Sequence, residues 1–128
     1  MTSQRREIVS HRTNRVNERL RVEALDEPGP GGACCLYAVS WEGDGEAEGD
    51  ARETGAVVLT FHAGADDRPN GVTNEALLAV VMDRLEGFES GRQASHEGTV
   101  AKGLVRRALE ILRTAEQRRR AAAGTDQP

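Results

Sequence analysis

Aromatic residues are scarce in this chain. Its 128 residues include two Phe, one Tyr and one Trp, and only 38% of the residues are hydrophobic. The mean hydropathy of -0.57 is low for a self-sufficient globule. A core with few aromatic side chains depends on Leu, Val and Ala, so an exposed aromatic residue becomes a candidate for binding. We therefore expect part of the chain to be tail, loop or subunit interface.

Cysteine and histidine are also scarce, which argues against disulfides and metal sites. Cys34 and Cys35 are adjacent. A vicinal disulfide is strained and the pair lacks CxxC spacing, so we expect two reduced thiols in a cytosolic protein. His11, His62 and His96 do not form a spaced ligand set. The sequence predicts no metal site and no cofactor.

Long apolar runs are absent. No segment reaches the roughly 18 to 20 apolar residues of a membrane span, and no signal peptide opens the chain. We expect a soluble, intracellular protein. The net charge of -4 and pI of about 5.4 make no electrostatic case for DNA or RNA. Acids crowd Glu42 to Glu53 and arginines crowd Arg113 to Arg120, so a local basic pocket for a small anion stays open.

Catalytic motifs are lacking as well. No motif pairs a cysteine with a histidine that could act as its base. The glycine-rich stretch from Gly29 to Gly32 does not precede a helix, so it is not a phosphate loop. The acidic stretch "EGDGEAEGD" lacks the alternating ligands and closing Glu of a calcium loop. We predict no catalytic residues and a protein that is not an enzyme.

The N-terminal half has the pattern of β-strands. Met1 to Arg15 is a polar arm or a short helix. Three segments then combine strand-forming residues with alternation or apolar runs; they are Val16–Asp26, Ala33–Trp41 and Ala56–His62. Leu20, Val22 and Ala24 share one face of the first strand, and Tyr37, Val39 and Trp41 share one face of the second. The acidic, Gly-rich segment Glu42 to Gly55 is typical of a long mobile loop. The segments predict an antiparallel meander.

The C-terminal half has helical periodicity. Residues of one helix face recur from Asn74 onward; they are Leu77, Leu78, Val81, Leu85 and Phe88. Thr73 or Asn74 supplies the N-cap, and Gly91 is a candidate left-handed cap. Ser95 then caps a second helix, whose predicted apolar stripe is Val100, Leu104, Ala108, Ile111, Leu112 and Ala115.

This order of elements predicts one α+β domain. Its sheet part covers about residues 16–62, its antiparallel helical hairpin covers 73–120, and a frayed tail follows at 121–128. Two helices cannot bury both of their apolar faces against three strands. Leu77, Val80 and Leu104 therefore need further partners, and we predict a homo-oligomer built through the hairpins.

A polar group sits where the strands give way to the helix. Asn70 and Gly71 form the strongest short turn signal known. The free N–H groups of the helix start and the amides of Asn70 and Asn74 suit a base edge or a ribose. Phe61 could stack on a base, and Arg84 could reach a phosphate from the same or a neighbouring subunit. The alternative, satisfied caps and solvated charges, remains open on spacing alone.

At these residues the sequence resembles a known group of proteins. The stretch "NGVTNEALLAVVMDRLEGFESGR", followed by "ASHE" and "RALEIL", is similar to the C-terminal hairpin shared by phage anti-Thoeris and anti-CBASS sponges. The N-terminal stretches "HRTNRVNERLRVEAL", "GGACCLYAV" and "VVLTFHAG" resemble the anti-Thoeris set. The chain departs from that pattern at Gln93, where the family often has an aromatic residue, at Glu97–Gly98, where it often has "EN", and in a shorter loop from Ala63 to Pro69.

The resemblance implies a protein that sequesters immune signals without cleaving them. Anti-Thoeris sponges bind cyclic ADP-ribose isomers, assemble as hexamers, and in some cases hold cyclic oligonucleotides at a second site. It implies a host-cytoplasmic protein in infected bacteria, with ligand contacts from the stacking aromatic Phe61, from Asn70 at the turn, and from a hairpin arginine. That arginine is Arg84 or Arg92, and Asn74 lies in the same motif.

Three other functions remain as alternatives. A sponge for cyclic di- or trinucleotides only, as in the anti-CBASS set, would be mainly hairpin. A protein-binding inhibitor or structural phage protein would use the hairpin as an interface and have no small-molecule ligand. An enzyme that degrades the signal would release an altered ligand.

Overall fold

The chain has an α+β architecture, as the sequence predicts. A computed structural model describes residues 5–43, 53–65 and 67–125. The elements are β1 (Arg6–Ile8), α1 (Arg15–Glu18), β2 (Arg21–Ala24), β3 (Leu36–Trp41), β4 (Gly55–Thr60), α2 (Asn74–Glu89) and α3 (His96–Thr125). They form two compact units, Met1–Val72 and Thr73–Pro128. In the described part of the chain, no helix has the length and apolar content that crossing a membrane requires.

The first unit is a single antiparallel sheet with strand order β1-β2-β3-β4. Val22 pairs with Val39, and Ala24 pairs with Tyr37. Because paired residues share a face and side chains alternate, one face collects the larger apolar residues of β2, β3 and β4. Ala24 is fully buried within this unit. As expected, Val22 and Ala24 share one face of β2, and Tyr37 and Val39 share one face of β3.

The predicted three-stranded meander is wrong by one strand, and its first strand was placed too early. Part of the polar N-terminal arm pairs with β2 as β1. The start of the predicted strand Val16–Asp26 is instead a helical turn, α1. Its N-cap is Asn14, whose side-chain oxygen accepts the N–H of Asn17 at 2.9 Å. An Asn cap outweighs strand alternation here, because it satisfies a backbone donor of the turn locally. The predicted acidic loop Glu42–Gly55 lies mostly outside the described residues.

A carboxylate holds the entry to β3. The backbone N–H groups of Cys35 and Leu36 donate to the carboxylate oxygens of Asp26, at distances from 2.9 to 3.2 Å. The N–H of Cys35 is the main cause that lowers the pKa of Asp26 below its ordinary value. Cys34 is buried, its thiol donates to the Asp26 carbonyl oxygen, and both cysteines are free. The cysteines precede β3 rather than lying inside it, because this clasp takes the N–H groups that a longer strand would use.

The second unit is the helical hairpin. Thr73 caps α2, with its hydroxyl oxygen accepting the N–H of Ala76 at 3.0 Å. Ser95 caps α3 in the same way through the N–H of Gly98. The ammonium of Lys102 lies 2.5 Å from the Glu89 carboxylate. This contact joins the last turn of α2 to the second turn of α3, and it is the main cause that lowers the pKa of Glu89.

The prediction of a left-handed cap at Gly91 is wrong. Gly91 does not have positive φ. The helix instead ends through short-range bonds from the N–H groups of Ser90 and Gly91 to the carbonyl oxygens of Gly87 and Phe88. The helix α3 extends into the predicted tail, from residue 121 to Thr125. The alanine-rich stretch after the last arginine has strong helix propensity, which outweighs its terminal position.

Candidate functional site

Phe61 follows β4 directly and lies on the apolar face of the sheet. Its ring meets the ring of Tyr37 edge to face, with centroids 5.4 Å apart and an interplanar angle of 77°. Tyr37 pairs with Leu59, two residues before Phe61, so both rings lie on one side of the sheet. Phe61 is half-buried. The Phe61 ring is thus held by a neighbouring ring and remains partly accessible.

The loop after Phe61 closes on itself through Asn70. The Asn70 side-chain oxygen accepts the N–H of Ala63, and its amide nitrogen donates to the Ala63 carbonyl, both at 2.9 Å. The backbone N–H of Asn70 donates to Nδ1 of His62 at 3.2 Å. This amide clamp brings two residues seven positions apart into register. Asn70 is thereby held against His62 and Ala63, the two residues that follow Phe61.

Gly71 is required for a reason that the turn signal did not indicate. Neither Asn70 nor Gly71 has the positive φ of a tight hairpin turn, so this interpretation of the dipeptide is wrong. A Cβ on Gly71 would lie 2.4 Å from the carbonyl oxygen of Thr60 and 2.6 Å from the carbonyl carbon of Phe61. The chain returns parallel to the strand end, where Phe61 bridges to Val72. The glycine permits this close approach of two backbone segments.

The start of α2 presents polar groups of the second unit. Asn74 is the first residue of the helix and is exposed. The first-turn N–H groups and the positive end of the helix dipole lie beside it. Thr73 already satisfies the N–H of Ala76. The structure describes no side-chain hydrogen bond of Asn74, which leaves its amide available.

The two candidate arginines lie far from the start of α2. Arg84 is ten residues beyond Asn74, which corresponds to roughly 15 Å along the helix axis, and its guanidinium lies over the ring of Phe88 at 5.3 Å. Arg92 lies in the connection between α2 and α3 and is exposed. The hairpin therefore does not bring either arginine together with Asn74 in one chain. A ligand that used both would take them from different copies or span much of the helix.

The arginine-rich stretch from Arg113 to Arg120, where the sequence left a basic pocket for a small anion open, helps to line a cavity of about 280 Å³ within the hairpin. Leu109, which is buried, lies at this cavity together with Glu75 of α2 and Arg113 of α3. Glu116 also lines it and pairs with Arg120 at 3.5 Å. The arginine-rich stretch thus contains a carboxylate, Glu116, that pairs with one of its arginines. The i, i+4 spacing of Glu116 and Arg120 was the sequence signal for this pairing.

Large apolar side chains of the hairpin remain exposed. Among the α3 residues whose burial is described, Leu109 is the buried one, and the predicted stripe omits it. Within the predicted stripe, Leu104, for which we predict a further partner, is 67% exposed, and Val100 and Ile111 are exposed as well. On α2, Val80 is 57% exposed. The 3.6-residue pattern could not show which of two adjacent apolar stripes packs against α2.

The described residues contain no cluster of side chains that could bind a metal ion, because no group of three or more His, Cys, Asp or Glu side chains among them is close enough together. His11 holds the carbonyl oxygen of Leu20 through Nε2 at 2.6 Å, a contact within the sheet unit. In comparisons with known proteins, no family model matches the chain, and no characterised protein matches it significantly.

Proposed function

We propose that this protein is a phage anti-defence sponge of the anti-Thoeris type. It binds cyclic ADP-ribose-type signalling nucleotides and holds them intact, so that the Thoeris effector in the infected bacterial cytoplasm is not activated. The proposal combines the sequence resemblance with the arrangement of Phe61 and Asn70. It requires no catalytic residue, cofactor or metal, because sequestration depends only on affinity and on the number of sites.

One observation carries the proposal. Phe61 is half-buried, braced by Tyr37 and followed by a loop that Asn70 closes. A purine needs an aromatic surface that is already oriented, because fixing a free side chain on binding reduces affinity. The Tyr37 contact and the amide clamp both restrict the local structure before any ligand arrives. Asn70 therefore acts as a positioning residue for the loop after Phe61, and its remaining amide hydrogen-bonding capacity is offered to the ligand.

Known interaction energies are sufficient for tight binding. Nanomolar affinity corresponds to about 12 kcal/mol. Stacking of one base supplies roughly 1 to 3 kcal/mol, and hydrogen bonds to charged phosphates supply roughly 1.5 to 3 kcal/mol each. A cyclic ADP-ribose isomer offers a base, two riboses and a diphosphate. A base on Phe61, an amide at Asn74 and an arginine from Arg84 or Arg92 match these groups in kind.

The exposed apolar residues support assembly into a homo-oligomer. Val80 of α2 and Leu104 of α3 are large apolar residues, and each is more than half exposed in the single chain. Full burial of one such side chain contributes roughly 1.5 to 3 kcal/mol. Repeated over the copies of an assembly, this burial stabilises subunit contacts through the hairpins. An assembly also supplies the arginine that one chain keeps about 15 Å from Asn74.

The ligand is tested by capture from cells. Purified protein is mixed with an extract of bacteria whose Thoeris system has been triggered, free small molecules are removed, and the protein is heat-denatured. Mass spectrometry should then detect an intact cyclic ADP-ribose isomer. The variant Phe61→Leu keeps an apolar group against Tyr37 but loses the aromatic surface, and we expect it to release at least tenfold less. Phe61→Tyr keeps the ring and should release a wild-type amount.

Other outcomes separate the alternatives. Recovery of only cyclic di- or trinucleotides would identify an anti-CBASS sponge, and recovery of a linear product would identify an enzyme. If the signal stays in the filtrate with the wild-type protein, the anti-Thoeris proposal is wrong. The only support for the remaining alternative, a protein-binding inhibitor, is the exposure of apolar hairpin residues. This alternative predicts no released nucleotide and full anti-defence activity of Phe61→Leu in infected cells.

Assembly is tested separately with Leu104→Glu. A carboxylate at this exposed position costs the single chain little, but burying it in a subunit interface without a partner is strongly unfavourable. We expect the mass measured by light scattering to fall to that of a smaller species while the helical circular dichroism is retained. The control is Arg107→Glu, which changes an exposed polar position of the same helix. An unchanged mass for Leu104→Glu would contradict assembly through this surface.

A further inference from the structure

β4 is an edge strand without the usual protection. Its sequence from Gly55 to Thr60 has no charged residue and no proline. Val57 is 46% exposed and Val58 is 59% exposed, although they lie on opposite faces of the sheet. The opposite edge is β1, where Arg12 pairs with Glu7 at 2.7 Å. Proteins commonly protect edge strands with charges of that kind, because an open edge pairs with other strands.

The backbone of β4 defines which groups are open. Phe61 donates its N–H to the carbonyl of Cys35 at 2.7 Å. In an antiparallel ladder alternate residues point toward the same neighbour, so Val57 and Leu59 point toward β3, while Ala56 and Val58 point away from it. Among the described residues, β4 pairs only with β3.

The far end of this edge is already occupied. The carbonyl oxygen of Thr60 accepts the N–H of Val72, and the N–H of His62 donates to Val72, both at 2.8 Å. This return segment pairs with the outward-facing side of the strand end and stops there. The open part of the edge is therefore the short segment centred on Val57, bounded on one side by Val72.

We propose that β4 pairs antiparallel with β4 of a second copy of this chain, about a two-fold axis at Val57. In this register, Ala56 of one copy exchanges N–H···O bonds with Val58 of the other, and reciprocally. Val57 faces Val57 of the second copy in the closely spaced, non-hydrogen-bonded pair. Registers centred on Val58 would instead direct Ala56 to Thr60, whose carbonyl oxygen is already bonded to Val72.

Charge favours this occupant and this direction. The residues from Glu42 to Glu53, immediately before β4, include six acids and one arginine. Antiparallel pairing places the exposed Glu53 of each copy at opposite ends of the joined strands, whereas parallel pairing would place the two Glu53 side chains near each other. A second copy is also a chemically matched partner, because its own β4 is equally uncharged. The contact is distinct from the hairpin surface tested with Leu104→Glu.

Disulfide trapping tests the register in the full chain. Cα atoms of a non-hydrogen-bonded pair lie roughly 4.5 Å apart, which is within the range of a disulfide. Under mild oxidation, we expect Val57→Cys to form a covalent dimer at least tenfold more than Val58→Cys, whose cysteine would face Ala56. The wild type measures any background from Cys34 and Cys35. An absent Val57→Cys dimer, or an equal yield from Val58→Cys, would overturn the proposal.

A second variant tests the hydrogen bonds themselves. Ala56→Pro removes an N–H that points away from β3, a change that edge strands tolerate. Introduced into Val57→Cys, it should reduce the covalent dimer at least tenfold, while Ala56→Ser should not. Thermal unfolding checks that both variants fold. A Val57→Cys dimer that persists with Ala56→Pro would show that the two valines meet without strand pairing and would refute the proposal.

Discussion

Replacing Gly71 with alanine would test how the candidate site is held in place. The added Cβ would lie 2.4 Å from the Thr60 carbonyl oxygen, 2.6 Å from the Phe61 carbonyl carbon and 2.8 Å from the His62 nitrogen. All three are backbone atoms of the strand end, so no flexible side chain can move aside. Either the return segment or the strand end must shift by about 1 Å to reach ordinary contact distances.

The shift has two costs that can be estimated. It disrupts the hydrogen bonds from Val72 to Thr60 and from His62 to Val72, each contributing roughly 0.5 to 1.5 kcal/mol. Insertion of an extra methyl into a closely packed site costs roughly 1 to 3 kcal/mol, part of which is the same movement. We therefore expect Gly71→Ala to lower the free energy of unfolding by about 2 to 4 kcal/mol. At roughly 4 °C per kcal/mol for a chain of this size, the melting temperature should fall by about 8 to 16 °C.

The assay is urea unfolding followed by circular dichroism, with ligand capture on the same preparations. Gly31→Ala is the matched control, because no atom lies within 4 Å of its added Cβ and its φ is not positive. Gly71→Ala should reduce capture even at temperatures where it is folded, since the displaced return segment also carries Asn70. If the two variants unfold within about 0.5 kcal/mol of each other, the close approach at Gly71 does not hold the loop.

Two further predictions concern stability. Gly103→Ala should raise the free energy of unfolding by about 1 kcal/mol in thermal melts, because this helical glycine has no atom within 4 Å of an added Cβ; a loss of stability would indicate that another copy packs there. Asp26→Asn should flatten the acid unfolding curve: the pKa of Asp26 is depressed in the fold, so its stabilisation is present above its ordinary pKa of 3.8 and is lost as the pH falls through the lower folded value. Carboxyl groups titrate roughly between pH 4 and pH 2 when their pKa is ordinary or lowered. An acid unfolding curve that Asp26→Asn leaves unchanged in this range would contradict the role of Asp26 at the start of β3.

The parts of the fold that were predictable are those set by local periodicity and caps. The change from period 2 to period 3.6 placed the start of α2 at Asn74, and the side-chain oxygens of Thr73 and Ser95 made the two N-caps readable. The strand β1 could not be predicted from the sequence, because its three residues are too few to establish an alternating pattern. The turn α1 was missed because the Asn14 cap competes with an apolar alternation that continues through it.

The sequence names candidate site residues but does not predict the contacts between them. The Phe61 ring and the Asn70 amide were named from the sequence because their chemistry suits a nucleotide. The hydrogen bonds between Asn70 and Ala63 depend on which backbone atoms approach after folding. The edge-to-face contact of Phe61 with Tyr37 depends on the strand register. Likewise, the periodicity of α3 contained two overlapping apolar stripes. Only the packing against α2 decides that Leu109 is buried and Leu104 is exposed.

These contacts bear on how the site and the assembly depend on each other. Asn70 directs one amide oxygen and one N–H to Ala63, so it cannot supply the full set of polar contacts that a nucleotide needs. Asn74 has a free amide, but the candidate arginines of its own chain are displaced along the hairpin. A contact near Asn74 from either candidate arginine, Arg84 or Arg92, would then come from a neighbouring copy. Because the exposed Val80 and Leu104 favour assembly through the same hairpin, a variant that separates the subunits should also weaken nucleotide binding without touching the ligand.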